Sequence, residues 1–432
     1  MEKTQRMRVV MVCHFSNQDV RDHLPLSDRK LYVWARRMLR LPAKTISYGD
    51  VAAWDTNIID NLKGRDDVEL YVISAHSGLK KRKVAFELDD VHYWFVRCDV
   101  SAMMKHLISS PKLWHALNPM RPLVRRIIKK IHPDLVTLVG AENAYISGTV
   151  LGLKGVPLFV KTQTIYNNPE RKNCDVFDTK NAYVEKLIFQ ATPYFSIGSK
   201  MHYDMFKQFN DTAYNLKWRF ASPLPQVEVV EKKYDFVNYA MSMSEKKGYH
   251  DTIKALAIVK RSFPNVKLNL TGQYSADTIR QLKDLVTEYD VVENVEFTPF
   301  FEKQSDLFQH IQHARFAVLP CKLDWVPFTI KQAMYYGLPV VCYETEGTPT
   351  LNKDAECVLI ARHSDVDDLA AKMLQLMSDE QLAAKLRNNA QEIAIKKNDN
   401  ESIANEIVAD FKAVIDNYYS GKEIDAQLLC QY

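Results

Sequence analysis

The residues best placed to do chemistry stand where strand-like runs give way to helices. In residues 242–248 (SMSEKKG) a strand runs out at Ser242, and Lys246 and Lys247 precede Gly248, where a helical stretch opens at Tyr249. A helix start carries unsatisfied N–H donors and partial positive charge, so Lys247 beside it makes an arrangement that suits a diphosphate. The bland alternative is an exposed lysine ahead of a helix. Pro299 and Phe300 follow another strand-like run and offer backbone groups and an aromatic face to a heterocyclic base. Residues 324–332 (DWVPFTIKQ) join a strand to a helix, and their turn, through Val326, Pro327, Phe328 and Thr329, aims backbone groups at a ligand. Asp324 and Gln332 bracket that turn, a carboxylate in the loop and an amide on the first helical turns.

In the first half of the chain His14, His76, Glu142 and Gln163 each follow a predicted strand, where crevice residues of an open α/β sheet belong. Such polar residues also serve merely to cap helices or to satisfy loop backbone. His310 and His313 share a helix face without an evident third ligand, so they read as a surface pair and no metal site is expected. Gly-x-Ser-x-Gly, Walker and His-Glu-x-x-His patterns are absent.

The elements that must position these residues alternate, twice over. The first block has strands predicted at 8–13, 68–75, 92–98, 133–140, 157–162 and 194–198, with helices at 121–130, 144–153 and 183–190. Ser199 is placed to cap a further helix. A Pro-containing polar stretch at 221–233 reads as a linker. The second block has strands at 236–240, 266–271, 295–298, 316–320 and 338–343, with helices at 249–262, 276–288, 305–313 and 329–336. From Asp365 onward the pattern is helical. Strands alternating with helices predict parallel sheets. The expectation is therefore α/β: two doubly wound Rossmann-like domains, 1–225 and 226–400, facing a cleft. A helical tail, 401–432, is expected to pack back toward the first domain.

Composition narrows the classes. The chain has 432 residues, 47% of them hydrophobic and 25% charged, which excludes disordered and fibrous classes. No apolar run approaches the ~18 residues of a membrane span, and no signal-peptide pattern opens the chain. Seven scattered cysteines without Cys-x-x-Cys suit a reducing cytosol. Residues 1–230 hold 34 Lys and Arg against 23 Asp and Glu (+11), whereas 231–432 hold 23 against 30 (−7). Two basic amphipathic stretches, 29–40 and Arg121 to Lys130, contribute to that excess. They read either as solvated helix faces or as a surface resting on anionic lipid. Nucleic acid is not expected, because the bases lack interleaved stacking aromatics.

Four stretches in order resemble family 4 of the retaining glycosyltransferases, of the glycosyl transferases group 1 type with the GT-B fold. Residues 242–248 with 263–272 (FPNVKLNLTG) resemble the family's R-x-x-x-x-K-G and F-P-x-x-x-L-x-x-x-G stretches, and 294–299 (NVEFTP) its N-V-x-F-x-G. Residues 332–339 (QAMYYGLP) resemble E-A-M-A-x-G-x-P, and the tail from Asp365 matches the family's helical ending. The resemblance implies that Lys247 and Asp324 are catalytic, the first on the diphosphate and the second near the donor sugar. It places Ser242, Lys246, Pro299, Phe300, Val326, Pro327, Phe328, Thr329 and Gln332 around the donor. The chain departs from the family at several points: Ser242 stands at the position of an arginine, Asp324 at that of a glutamate, Gln332 at that of a ribose-binding glutamate, and Gln163 where many relatives have a histidine. In place of the family's N-terminal glycine-rich loop stand residues 14–21, beginning with His14.

What the resemblance implies is a retaining hexosyltransferase that takes a nucleotide-diphosphate sugar as substrate and no cofactor. Its acceptor is expected to be a glycan or a lipid-linked sugar in surface polysaccharide biosynthesis. The acceptor-side candidates are His14, His76, Glu142 and Gln163. The expected location is cytoplasmic, with docking on the inner membrane face through Arg121 to Lys130. The alternatives are a non-catalytic partner subunit that binds nucleotide sugar or glycan, motivated by Ser242 and Gln332, and a sugar-nucleotide epimerase on the same fold.

Overall fold

The computed structural model describes residues 6–27, 50–169, 177–219, 227–397 and 399–430. The basic stretch 29–40 and the part of the linker at 221–226 lie outside the described residues. The chain forms two units, Met1–Pro223 with Asn400–Tyr432, and Leu224–Asp399.

The first unit is an eight-stranded sheet of order β3-β4-β2-β1-β5-β6-β7-β8. Its strands are β1 (Met7–Val12), β2 (Val68–His76), β3 (Lys83–Leu88), β4 (Val91–Arg97), β5 (Leu135–Val139), β6 (Leu158–Lys161), β7 (Tyr194–Ser196) and β8 (Tyr214–Asn215). Every pairing is parallel except β3 with β4. The hairpin strand β3 is not among the expected strands. It turns into β4 through Asp89 and Asp90, whose φ values of 51° and 61° make the tight turn that suits strand twist. Neighbouring β1 residues face opposite cores: Val9 and Met11 join one buried cluster, Val10 and Val12 the other. Burial on both faces explains why these strands read as unbroken apolar runs. The expected helix 144–153 is shorter, Ala144–Ser147 followed by a tight turn at Gly148–Val150. At Gly148 a side chain would meet His115 at 3.0 Å.

The helix Asn400–Ser420 belongs to this unit. Its Ile403, Ile407, Phe411 and Val414 recur at helical spacing and are buried in the cluster that holds Phe159 and Trp218. Phe411 meets those rings edge-on at 6.2 and 5.2 Å. Arg219 grips Glu406 with two bonds of 2.7 Å.

The second unit is a six-stranded, all-parallel sheet of order β11-β10-β9-β12-β13-β14. Its strands are β9 (Tyr234–Ser242), β10 (Leu268–Gln273), β11 (Val295–Thr298), β12 (Ala314–Val318), β13 (Val340–Tyr343) and β14 (Val358–Ala361). β14 is a further strand beyond those expected. The intervening helices, among them Tyr249–Lys260, Ala276–Glu288 and Phe328–Tyr335, lie close to their expected positions. In each sheet the chain winds outward in one direction, returns, and winds outward in the other. The reversals fall between β1 and β5 and between β9 and β12. Ligands of such sheets bind beyond the strand ends at that reversal. No helix among the described residues is long and apolar enough to cross a membrane.

Candidate functional site

In the second unit the loops after β9 and β12, the strands that flank the reversal, are knitted together. Glu245–Lys247 forms a tight turn, and Gly248 at φ 78° starts the helix. A Cβ at Gly248 would lie 2.2 Å from the Pro320 carbonyl oxygen, so only glycine allows this approach. The Lys322 N–H donates to the Lys246 carbonyl at 2.9 Å. Lys247 Nζ thereby reaches Asp324 and forms an ion pair with its Oδ2, to which the Cys321 thiol donates at 3.3 Å. Burial works against the Lys247 ammonium, but Asp324, with Cys321, carries its pKa above the ordinary lysine value. Lys247 is thus a fixed cation at the reversal. Beside it Lys322 pairs with the buried Asp251 at 3.0 Å, and the Tyr343 hydroxyl donates to the same carboxylate at 2.9 Å.

The other expected donor-side residues fall on loops of the same sheet. Ser242 ends β9 and Lys246 follows in the tight turn, both exposed. Pro299, exposed, and Phe300, half-buried, follow β11, and the Thr271 hydroxyl donates to the Pro299 carbonyl at 3.4 Å. Val326 is half-buried, Pro327 is buried, and Phe328 and Thr329 begin the next helix. The Tyr239 hydroxyl fixes that helix by donating to the Thr329 carbonyl at 2.7 Å. Gln332 is only 9% exposed, yet its amide makes no hydrogen bond among the described residues. Trp325 is held from behind: Thr345 donates to its carbonyl at 2.6 Å, and a Cβ on Gly347 would strike its indole at 2.7 Å.

In the first unit His14 follows β1 and Glu142 follows β5, flanking the other reversal, while His76 ends β2 and Gln163 follows β6. Burial, reinforced by His76, lowers the His14 pKa to about 4, and Tyr145 meets its ring edge-on at 5.4 Å. His76 Nδ1 lies 2.6 Å from the Ser77 carbonyl. The Gln163 amide donates to Asp55 at 3.2 Å. Asp55 is fully buried, and burial together with the nearby Glu142 charge pushes its carboxyl well above the usual range. The cluster thus brings together a His14 that is neutral at neutral pH, the buried Asp55 carboxyl, the Gln163 amide and the Glu142 carboxyl, a set suited to hydroxyls.

Sequence reasoning missed Asp55, Tyr145, Cys321, Lys322 and Asp251. Asp55 lies on a helix with no strand-end signal, and the others acquire partners only through folding. His310 and His313 are not a free surface pair. His310 Nε2 meets Asn269 at 2.9 Å, and His313 Nδ1 meets the Glu231 carbonyl at 2.8 Å. No cluster of three or more metal-ligating side chains occurs among the described residues. The basic helix Met120–Ile131 is not uniformly free either. Arg121 donates to the His115 carbonyl at 3.2 Å and Arg125 to the Leu151 carbonyl, leaving Arg126, Lys129 and Lys130 exposed.

Residues 223–393 match the model of the family described as glycosyl transferases group 1. An uncharacterized glycosyltransferase of Haemophilus influenzae is 21% identical over 137 residues, 32% of this chain and 37% of the relative. The amylovoran biosynthesis glycosyltransferase AmsK of Erwinia amylovora is 28% identical over 144 residues, 32% of this chain and 35% of the relative. The match thus spans little more than a third of each curated relative. The crystal structure of Anabaena HepE in complex with UDP and glucose superposes with a TM-score of 0.63 at 17% identity, covering 93% of this chain and 98% of HepE. The two Rossmann-like units are each of the kind found in GT-B structures such as HepE, and residues 223–393 are similar to the glycosyl transferases group 1 family.

Proposed function

We propose that this chain transfers a hexosyl group from a nucleotide-diphosphate sugar, with retention, to a hydroxyl of a glycan or lipid-linked acceptor in surface polysaccharide assembly. The observation that carries the reading is the Lys247–Asp324 pair at the strand-order reversal inside the matched domain. The names of AmsK and of the HepE complex support the polysaccharide role and the nucleotide-sugar donor. Lys247 and the N–H groups at the helix start take the diphosphate and stabilise the charge that develops as it leaves. Gln332, buried with an unused amide, takes the ribose hydroxyls. Asp324 faces the transferred sugar and orients Lys247. The reading needs neither a metal nor a covalent nucleophile. The acceptor falls to His14, His76, Glu142 and Gln163, with Asp55 supporting Gln163.

The test is a panel of UDP-, GDP- and ADP-sugars, with nucleoside diphosphate release measured first without acceptor and the anomeric configuration of the product read by NMR. Slow donor hydrolysis and a retained anomer are expected; an inverted product overturns the retaining part. Ser242, an exposed hydroxyl where the resemblance calls for a cation, favours the second reading, a non-catalytic sugar-nucleotide-binding subunit. Tight binding without turnover of any donor would establish it.

A further inference from the structure

The first unit carries a groove of about 380 Å³ between the β3–β4 hairpin and the helix Met120–Ile131. Its floor is Leu123 and Ile127, and its walls are Arg82, Lys83, Arg126, Lys130 and Trp94. Lys83 Nζ lies 5.2 Å and Lys130 Nζ 5.8 Å from the centre of the Trp94 ring. The register explains the construction. Trp94 stands opposite the small Ala85, with Lys83 two residues along on the same face. On the helix, Leu123 and Ile127 recur at four-residue spacing toward the sheet, and Arg126 and Lys130 recur at the same spacing along the rim.

None of the lining residues is acidic. Among the described residues, none of these four cations forms an ion pair or a side-chain hydrogen bond, unlike Arg65, Lys105 or Arg315, which are held by Asp67, Asp178 and Asp235. Four like charges around one indole repel one another until an anion arrives, and a concave wall concentrates their field. Guanidinium forks match phosphate oxygens in pairs, and an apolar floor with an indole wall accommodates the carbon attached to a phosphate ester. We infer that this groove is a binding site for a phosphate ester, presented either by a soluble phosphorylated molecule or by a lipid headgroup.

Glycerol 3-phosphate by titration calorimetry, and phosphatidylcholine vesicles with and without phosphatidylglycerol by sedimentation, test the site on the full chain. The variant Arg82→Gln/Arg126→Gln/Lys130→Gln is expected to weaken binding at least about tenfold. A control of equal charge change on the same unit, Lys112→Gln/Lys154→Gln/Lys186→Gln, should change it less than about twofold. Trp94→Phe should remove the fluorescence change on binding. Saturable binding of glycerol 3-phosphate lost in the groove variant identifies a soluble ester. Sedimentation only with phosphatidylglycerol, lost in the same variant, identifies a headgroup. Absence of binding to both probes, or equal losses in the groove and control variants, overturns the site. A calorimetric melt that keeps the first unit's transition shows that the groove variant is folded, and unchanged nucleoside diphosphate binding by the second unit separates this test from that of the transferase reading.

Discussion

Lys247 and Asp324, on the loops after β9 and β12, are joined by an ion pair. Lys247→Ala is expected to weaken nucleoside diphosphate binding at least about tenfold, since a charge-assisted contact contributes ~1.5–3 kcal/mol. An unchanged dissociation constant would remove Lys247 from the site. Asp324→Asn keeps size but deletes the charge that holds the ammonium. A large fall in kcat at near-constant donor KM is expected, the pattern of an interaction made mainly in the transition state. Wild-type kcat in that variant would rule the assignment out. Gln332→Glu should be tolerated and should tighten nucleotide binding, while lowering stability without nucleotide because it buries a charge. Melting curves with and without nucleoside diphosphate check both halves of that expectation.

The helix Asn400–Ser420 places a carboxyl inside the first unit. Asp410 is 1% exposed, and burial pushes its pKa up to about 7 against the pull of Lys161 and the Trp218 N–H. A folded-state pKa above the unfolded value favours the folded state at low pH, and that contribution is lost as pH rises from about 4 to about 7. Asp410→Asn is permanently neutral and escapes this loss. The variant's stability relative to wild type should therefore grow by up to ~1.4 kcal/mol per pH unit across that window and level off above it. Thermal melts at stepped pH give the comparison, and a difference constant with pH would contradict the account.

At the scale of the molecule, each unit has its own buried clusters, with the second unit's formed wholly by residues between Phe236 and Ala394. Residues 224–399 alone are expected to melt cooperatively and to keep nucleotide binding. Deleting 400–432 would expose Phe159 and Trp218 by removing Phe411, Ile407 and Ile403 from their cluster. Calorimetry of that truncation should show the first unit's transition lost and the second unit's retained. Survival of both transitions would show that the helix Asn400–Ser420 is not part of the first unit's core.

Much of this was legible in consecutive residues. Apolar runs such as Val9 to Val12 and the alternation of strand and helix follow from burial on both sheet faces, which leaves a local pattern. The placement of Lys247 and Asp324 at strand ends was local in the same way. Short edge elements were not legible: β3 alternates exposed and half-buried residues, and its turn depends on two aspartates at positive φ. Nor were the partners. Lys247 meets Asp324 across 77 positions and Gln163 meets Asp55 across 108, because strand order brings distant loops to one sheet edge. The basic helix shows the division most clearly. Its amphipathic pattern is written in residues 121–130, but which cations remain free was decided by the carbonyls of His115 and Leu151 and by the hairpin that carries Trp94. A charge can be read from one residue; whether it is neutralised depends on what the fold sets within a few ångströms of it.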